Sequence, residues 1–139
     1  MAFGALIKQR NLTLLTKMDT QTGFKILTVA LILNGKPEEA LELLAKNYNV
    51  KVPRLKVGLP KKHKIKAFGC YTARNETISV LNSDVLVNPF VILHEFYHHL
   101  RSKSVDKMHK GTEKNADKFA LDFIMQYQIA AAKALADNQ

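Results

Sequence analysis

The spacing of hydrophobic and polar positions divides the chain into three regions, and the first of them, residues 1 to about 50, has helical spacing. One short helix is predicted by its apolar side chains Leu12, Leu14, Leu15 and Met18. Gly23 is expected to interrupt it, and Thr20 or Thr22 would cap a second helix that runs to Leu33.

A third helix is predicted from the stop and start signals that follow Leu33. The pair Asn34-Gly35 is a stop signal, and Pro37 suits the first position of a new helix. Glu38 and Glu39 then occupy the first turn, where the helix dipole favours anions. Its apolar face would consist of Ala40, Leu41, Leu43 and Leu44.

The second region, residues 50 to about 87, has the pattern of strands. Residues 50–52 precede Pro53, and residues 55–57 alternate apolar with basic side chains. Residues 58–66 are expected to form an exposed basic loop. A hairpin should follow, in which residues 67–72 pair with residues 77–82 across a turn at residues 73–76.

The third region predicts two helices. Asn88 is a good cap and Pro89 a good first residue for a helix that reaches about Ser102. After a polar loop at residues 103–111, Thr112 can cap a long helix to about Ala136. The apolar positions of this last helix recur at helical spacing: Ala116, Phe119, Ala120, Phe123, Ile124 and Tyr127.

These elements indicate one α+β domain over residues 1–139, because no linker separates the regions. Residues 1–50 form its helical part. Residues 51–139 supply a short antiparallel sheet and then the two last helices.

The cysteine content and the length of the apolar stretches indicate the cellular compartment of the protein. Cys70 is the only cysteine, which excludes a disulfide within the chain and favours a reducing compartment. A small core residue is the simplest role for it. Residues 1–10 lack the pattern of a signal peptide, and the longest apolar stretch, residues 24–33, is about half of what a bilayer crossing needs. We therefore expect a cytoplasmic protein with no membrane partner.

The net charge of +9 comes from one segment. Residues 43–75 hold nine basic and no acidic side chains, and the rest of the chain is balanced. The basic residues are Lys46, Lys51, Arg54, Lys56, Lys61, Lys62, Lys64, Lys66 and Arg74. This segment, 46–74, is either a solvated surface or a contact for nucleic acid or an acidic partner.

The strongest chemical signal is His94-Glu95-Phe96-Tyr97-His98 on the first helix of the third region. Positions i and i+4 project from one face of a helix, so His94 and His98 can bind one Zn²⁺ ion. Glu95 lies about 100° away around the axis and can act on a water as general base without being a ligand.

A catalytic zinc needs a third protein ligand and an open position. Glu113 and Asp117 share a face of the last helix, so Glu113 could bind the metal while Asp117 accepts the other ring N–H of a liganding histidine. Asp106, His109 and Asp117 are rivals for the third ligand. Asp106 and His109 lie in the loop, where position is less well held than on a helix.

These motifs resemble those of the gluzincin metallopeptidases, in particular the small intracellular minigluzincins and ImmA/IrrE-type proteins. The resemblance covers residues from about 65 to 125 and includes Phe119-Ala120 after Glu113-x-x-Ala116. It implies a small zincin-like domain with an active-site helix, and a strand beside the cleft that aligns an extended peptide. It also implies His94, His98 and Glu113 as ligands of one Zn²⁺, Glu95 as base and Asp117 as the partner of a liganding histidine.

The chain departs from two neighbouring patterns. Ser104 stands where a metzincin has its third histidine, and Asn115 stands where an aspzincin has its aspartate. The donor that would stabilise the transition state stays open among Tyr71, Tyr97, His99, His109 and Tyr127. His99 points away from His98 on the helix, so it should lie behind the site or on the surface and not on the metal.

Two functions remain for the sequence as a whole. The first is zinc-dependent hydrolysis of a peptide or protein substrate, with Glu95 as general base. The alternative is a nucleic-acid-associated regulatory protein whose metal site is structural or vestigial.

Overall fold

A computed structural model of the chain describes residues 19–61, 67–103 and 112–138. Its helices are α1 (Thr20–Leu33), α2 (Pro37–Tyr48), α3 (Pro89–Lys103) and α4 (Thr112–Asp137). Its strands are β1 (Arg54–Val57), β2 (Gly69–Thr72) and β3 (Thr77–Val80), and a short 3₁₀ helix, Ser83–Val87, precedes α3. The predicted α+β class is confirmed. The helix predicted around residues 12–18 lies outside the described residues.

The start of α1 differs from the prediction. Asp19 is the cap, since its carboxylate accepts the backbone N–H of Thr22 at 2.7 Å and the Thr22 hydroxyl at 2.8 Å. Gly23 does not interrupt the helix but is a buried part of it. A glycine costs a helix only about 1 kcal/mol relative to alanine, which the cap and the tertiary packing can offset.

The boundary between α1 and α2 lies at the predicted stop and start signals. α1 ends at Leu33, Gly35 adopts a positive φ of 77°, and Pro37 opens α2 with Glu38 and Glu39 in its first turn. α2 closes on Asn49, which adopts the left-handed conformation with φ 55°.

The sheet has the order β1-β3-β2 and is mixed. β2 and β3 form the predicted antiparallel hairpin, in which Tyr71 pairs with Ile78 and Gly69 with Val80. β1 adds to the other side of β3 in parallel, so the sheet is not wholly antiparallel as the sequence suggested. The predicted strand at residues 50–52 does not form; the first strand begins only after Pro53, which has no N–H to donate to a ladder.

The core lies where α3 crosses the inner face of the sheet. α3 packs against β2 and β3 on one side and against α4 on the other, and α1 packs against α4 and α2. The fully buried side chains of the core include Ile32, Leu41, Leu44, Ile78, Val80, Ile92, Leu93 and Phe96. None of the helices in the described parts of the chain combines the length and apolar character that a membrane crossing requires.

Candidate metal centre

Helix α3 holds three residues of the predicted site in fixed directions. Asn88 caps it, because its side-chain oxygen accepts the backbone N–H of Val91 at 3.3 Å. The side chains of Ile92, Leu93 and Phe96 are fully buried and hold the helix against the core. The remaining face turns His94 and His98 towards α4.

His94, His98 and Glu113 converge on one point. The two Nε2 atoms lie 3.2 Å apart, and the Glu113 carboxylate places Oε2 3.0 Å from His94 Nε2 and Oε1 2.9 Å from His98 Nε2. All three ligand atoms lie within 4.8 Å of one another. A tetrahedral zinc with bonds of about 2.0–2.1 Å separates its ligand nitrogens by about 3.3–3.4 Å, so the observed nitrogen separation suits such an ion.

Both ring nitrogens of His94 face a carboxylate: Nδ1 lies 2.8 Å from Asp117 Oδ1, and Nε2 lies 3.0 Å from Glu113 Oε2. A carboxylate oxygen can only accept, so the bond to Asp117 requires the proton on Nδ1. In the neutral ring, Nε2 then presents a lone pair towards His98 and the Glu113 carboxylate. Two imidazoles and a carboxylate that face each other in this way could hold one cation, and this donor set suits zinc.

Glu95 lies beside the three donors without joining them. Its side chain is 9% exposed, and Oε2 is 4.0 Å from His94 Nε2. The pKa of Glu95 is raised to about 7, chiefly by burial; the charge of His94 acts against this, and the Glu113 carboxylate adds to it. A carboxyl group of that pKa, one water away from the donors, suits proton transfer near neutral pH.

The pKa of His98 is lowered, chiefly because the imidazole is buried; the Glu113 carboxylate acts against this. The lowered pKa favours the neutral ring, which is the form that binds a metal.

Two adjoining cavities form a cleft over these residues. Both are bordered by Ala67, Gly69, His94, Glu95 and Glu113. The smaller, of about 230 Å³, adds Phe68, Phe90 and Val91; the larger, of about 420 Å³, adds Cys70, Tyr71 and His98. The edge strand β2 therefore forms one wall of the cleft, and the first turns of α3 form the other.

Two residues of β2 and α3 have roles that the sequence did not predict. His99 is fully buried, with Nε2 2.7 Å from the Lys51 carbonyl oxygen and Nδ1 2.7 Å from the Tyr71 hydroxyl. The carbonyl can only accept, so Nε2–H donates to it and Nδ1 accepts the Tyr71 O–H. His99 follows Ile92 and Phe96 at helical spacing, and this position on the buried stripe was the available signal.

The other candidate donors are placed as follows. The Tyr71 hydroxyl is already committed to His99 and also lies 3.1 Å from Ser102 Oγ. The Tyr97 ring packs against Phe119 with centroids 5.4 Å apart, and Tyr127 is a half-buried residue of α4 whose pKa is raised by burial. Asp106 and His109 lie outside the described residues.

Cys70 is only half-buried and borders the cleft, so it is not the core residue that was predicted. Among the strands that the structure describes, β2 lies at an edge of the sheet and has a neighbour, β3, on one side alone. Burial raises the pKa of the Cys70 thiol, with a further contribution from the Glu95 carboxylate.

Two basic side chains of segment 46–74, those of Arg54 and Lys56, lie away from the cleft, whereas residues 67–71 of the same segment border it. Arg54 and Lys56 are exposed on β1, at the sheet edge opposite to β2. Arg54 borders a small cavity with Glu38 and Glu42, and Lys51 lies 3.7 Å from Glu76. The acid-free stretch of sequence is therefore partly flanked by carboxylates in space. Lys62, Lys64 and Lys66 lie outside the described residues.

Comparisons with protein-family models, with curated proteins and with solved structures found no match to this chain. What this site can do is therefore argued from its own geometry.

Proposed function

We propose that this protein is a zinc-dependent peptidase of the gluzincin type, similar to minigluzincins and ImmA/IrrE-type proteins. The observation that carries the proposal is the convergence of His94 Nε2, His98 Nε2 and the Glu113 carboxylate, with Asp117 on the other ring nitrogen of His94. One Zn²⁺ ion is the cation that these donors suit best.

The donor count supports a catalytic site over a structural one. Within the described residues, three side chains form the candidate cluster, and a closed structural site would require a fourth protein ligand. The cluster also borders a cleft made of two cavities of about 230 and 420 Å³. A vestigial or purely structural metal site would need neither the cleft nor a buried carboxyl beside the donors.

Zinc bound at this site supplies a Lewis acid for a substrate carbonyl and lowers the pKa of a water molecule. Glu95 accepts the proton of the attacking water and later returns it to the leaving amine. Asp117 holds His94 in the tautomer that offers Nε2, and the half-buried Phe90 beside His94 limits the access of bulk water.

The remaining parts of the proposal concern substrate and surroundings. The substrate is a peptide or protein bound along the cleft, and the single cysteine is compatible with a reducing, cytoplasmic location. A nucleic acid or acidic partner at segment 46–74 stays a prediction, and the carboxylates beside Arg54 do not favour it.

The proposal is tested with Glu95→Gln. The amide is nearly isosteric but cannot accept the proton, so zinc content should stay at one ion per chain while peptide cleavage falls by about 10²–10⁴-fold or more. Metal analysis and cleavage of a fluorogenic peptide library measure the two effects. The matched control is Glu39→Gln on the exposed first turn of α2, which should change neither.

Two results would contradict the proposal. One is cleavage by Glu95→Gln at the rate of the unmodified protein. The other is a zinc-loaded protein that cleaves no member of the library, which would leave the site a metal-binding one without hydrolytic function.

A further inference from the structure

Gly69 lies at the point where β2 comes closest to α3. A Cβ atom at this position would lie 2.7 Å from Val91 Cγ1, 3.3 Å from Glu95 Cγ and 3.3 Å from the Ser79 carbonyl oxygen. The first distance is shorter than folded proteins tolerate, and the other two are tight. Gly69 has no positive φ, in contrast to Gly35 and Gly58, so the backbone conformation does not require glycine here. The requirement is for space.

The strand cannot move away from the helix to make that space. Gly69 pairs with Val80 in the antiparallel ladder, and every residue of β3 is buried. On the side of β3, the Ser79 carbonyl oxygen already leaves little space for a Cβ atom. A side chain at position 69 must therefore be accommodated by α3.

The helix has one stiff and one movable neighbour at this position. Val91 is 7% exposed, and a valine in a helix has essentially one side-chain rotamer, so Cγ1 cannot simply rotate away. Farther along α3, Phe96 and His99 are fully buried and hold the helix in place. The displacement then falls on the first two turns of α3 and on the side chain of Glu95.

We propose that Gly69 is a positioning residue for the general base: its missing side chain lets β2 lie against Glu95 and sets where the Glu95 carboxylate stands in the cleft. This rests on the proposed function. Gly69 borders both cavities of the cleft, so the same close approach also sets the width of the cleft above Glu95. The three atoms nearest to such a Cβ belong to Val91, Glu95 and Ser79 and to none of the three proposed ligand residues.

The experiment is a double-mutant cycle in the full chain with Gly69→Ala, Val91→Ala and the two combined. Val91→Ala removes Cγ1, the atom of the closest clash, and should therefore restore what Gly69→Ala disturbs. We expect Gly69→Ala to lower kcat by about 10–100-fold, as small displacements of a catalytic group do, with a smaller change in KM and with zinc affinity unchanged. The combined variant should regain most of this kcat.

A second readout does not depend on activity. Crystal structures of the metal-free variants would show whether the Glu95 carboxylate moves from its 4.0 Å separation from His94 Nε2 in Gly69→Ala and returns in the combined variant. If Gly69→Ala alone fails to fold, the combined variant is compared with Val91→Ala. These two proteins differ only at position 69, and neither contains Val91 Cγ1, the atom of the closest clash.

The inference is overturned if Gly69→Ala keeps its kcat and its Glu95 position, or if it loses only stability. It is also overturned if the combined variant shows no recovery in either readout. Failure of the proposed function looks different: the zinc-loaded unmodified protein would then cleave no peptide, while the position of Glu95 in the metal-free structures would still decide the role of Gly69.

Discussion

Asp117 contacts the proposed metal site through the hydrogen bond from His94 Nδ1–H, at 2.8 Å. Asp117→Asn keeps an oxygen that can accept this bond but removes the negative charge that makes His94 a more basic ligand. We expect zinc affinity to fall by about 10–100-fold, towards the lower end because the Asp117 side chain is 49% exposed and partly screened by solvent. Competition with a chromophoric chelator measures this.

The controls for this prediction come from other carboxylates of the chain. Asp84→Asn changes an exposed residue of the 3₁₀ helix and should leave zinc affinity unchanged. Glu113→Ala should weaken zinc binding more than Asp117→Asn, because it removes a donor and not the partner of one. The reverse order of the two would exchange the roles of Glu113 and Asp117.

How well individual residues could be predicted depended on whether their chemistry was local. His94 and His98 follow from their i, i+4 spacing, and Glu113 and Asp117 from theirs, because a helix alone decides which side chains share a face. Gly69 could not be predicted in this way, since its importance comes from the approach of β2 to α3, which no local pattern describes.

At the scale of elements, the β2–α3 junction is held by buried hydrogen bonds as well as by apolar contacts. Tyr71 of β2 donates to His99 of α3, and His99 donates to the Lys51 carbonyl. This small network ties β2, α3 and the segment before β1 together, because each donor in it has its acceptor.

Tyr71→Phe tests this junction. The change leaves the buried Nδ1 of His99 without its donor, which should lower the free energy of unfolding by about 1–3 kcal/mol. Urea denaturation of the metal-free protein measures it. Tyr97→Phe is the matched control and should cost less than about 0.5 kcal/mol, because Tyr97 meets its neighbours through its ring. Equal stability of the two variants would mean that the Tyr71 hydroxyl contributes nothing.

Elements with local start and stop signals were predicted well, and those that depend on distant partners were not. Asn34-Gly35 and Pro37 marked the α1–α2 boundary, and the hairpin register followed from the short turn between β2 and β3. The parallel pairing of β1 with β3 could not be predicted, since it joins residues 54–57 to residues 77–80 across the whole hairpin. The sheet is mixed for this reason.

At the scale of the whole molecule, the sheet order separates two surfaces. β2 borders the cleft, and β1 with Arg54 and Lys56 lies at the opposite edge. The sequence predicted that the charge is concentrated in one segment, but its position relative to the cleft depends on the β1-β3-β2 order, which is a property of the assembled fold. On this arrangement, an acidic partner bound to β1 would leave the cleft accessible.

Zinc binding should also stabilise the whole molecule, because the ligands come from two helices that are separate in sequence. His94 and His98 belong to α3 and Glu113 to α4, and these helices pack against each other directly. A ligand that binds only the folded state adds about 2.7 kcal/mol at a free concentration of about 100 Kd. With an unfolding entropy of about 2.1 cal/mol/K per residue, a chain of 139 residues should then gain roughly 9 °C in Tm.

Thermal unfolding of three proteins, with zinc and with a chelator, tests this prediction. It distinguishes the role of Glu113 as a metal ligand from that of Glu95 as a base. The unmodified protein and Glu95→Gln should show the same zinc-dependent rise in Tm, since Glu95 is not a donor to the metal. Glu113→Ala should lose most of the rise, because only the α3 histidines then remain as ligands and the ion no longer joins α3 to α4. Magnesium at the same concentration should have no effect, since two imidazoles are poor ligands for it. If zinc leaves the Tm of the unmodified protein unchanged, the convergence of His94, His98 and Glu113 is not a metal site, and the peptidase proposal falls with it.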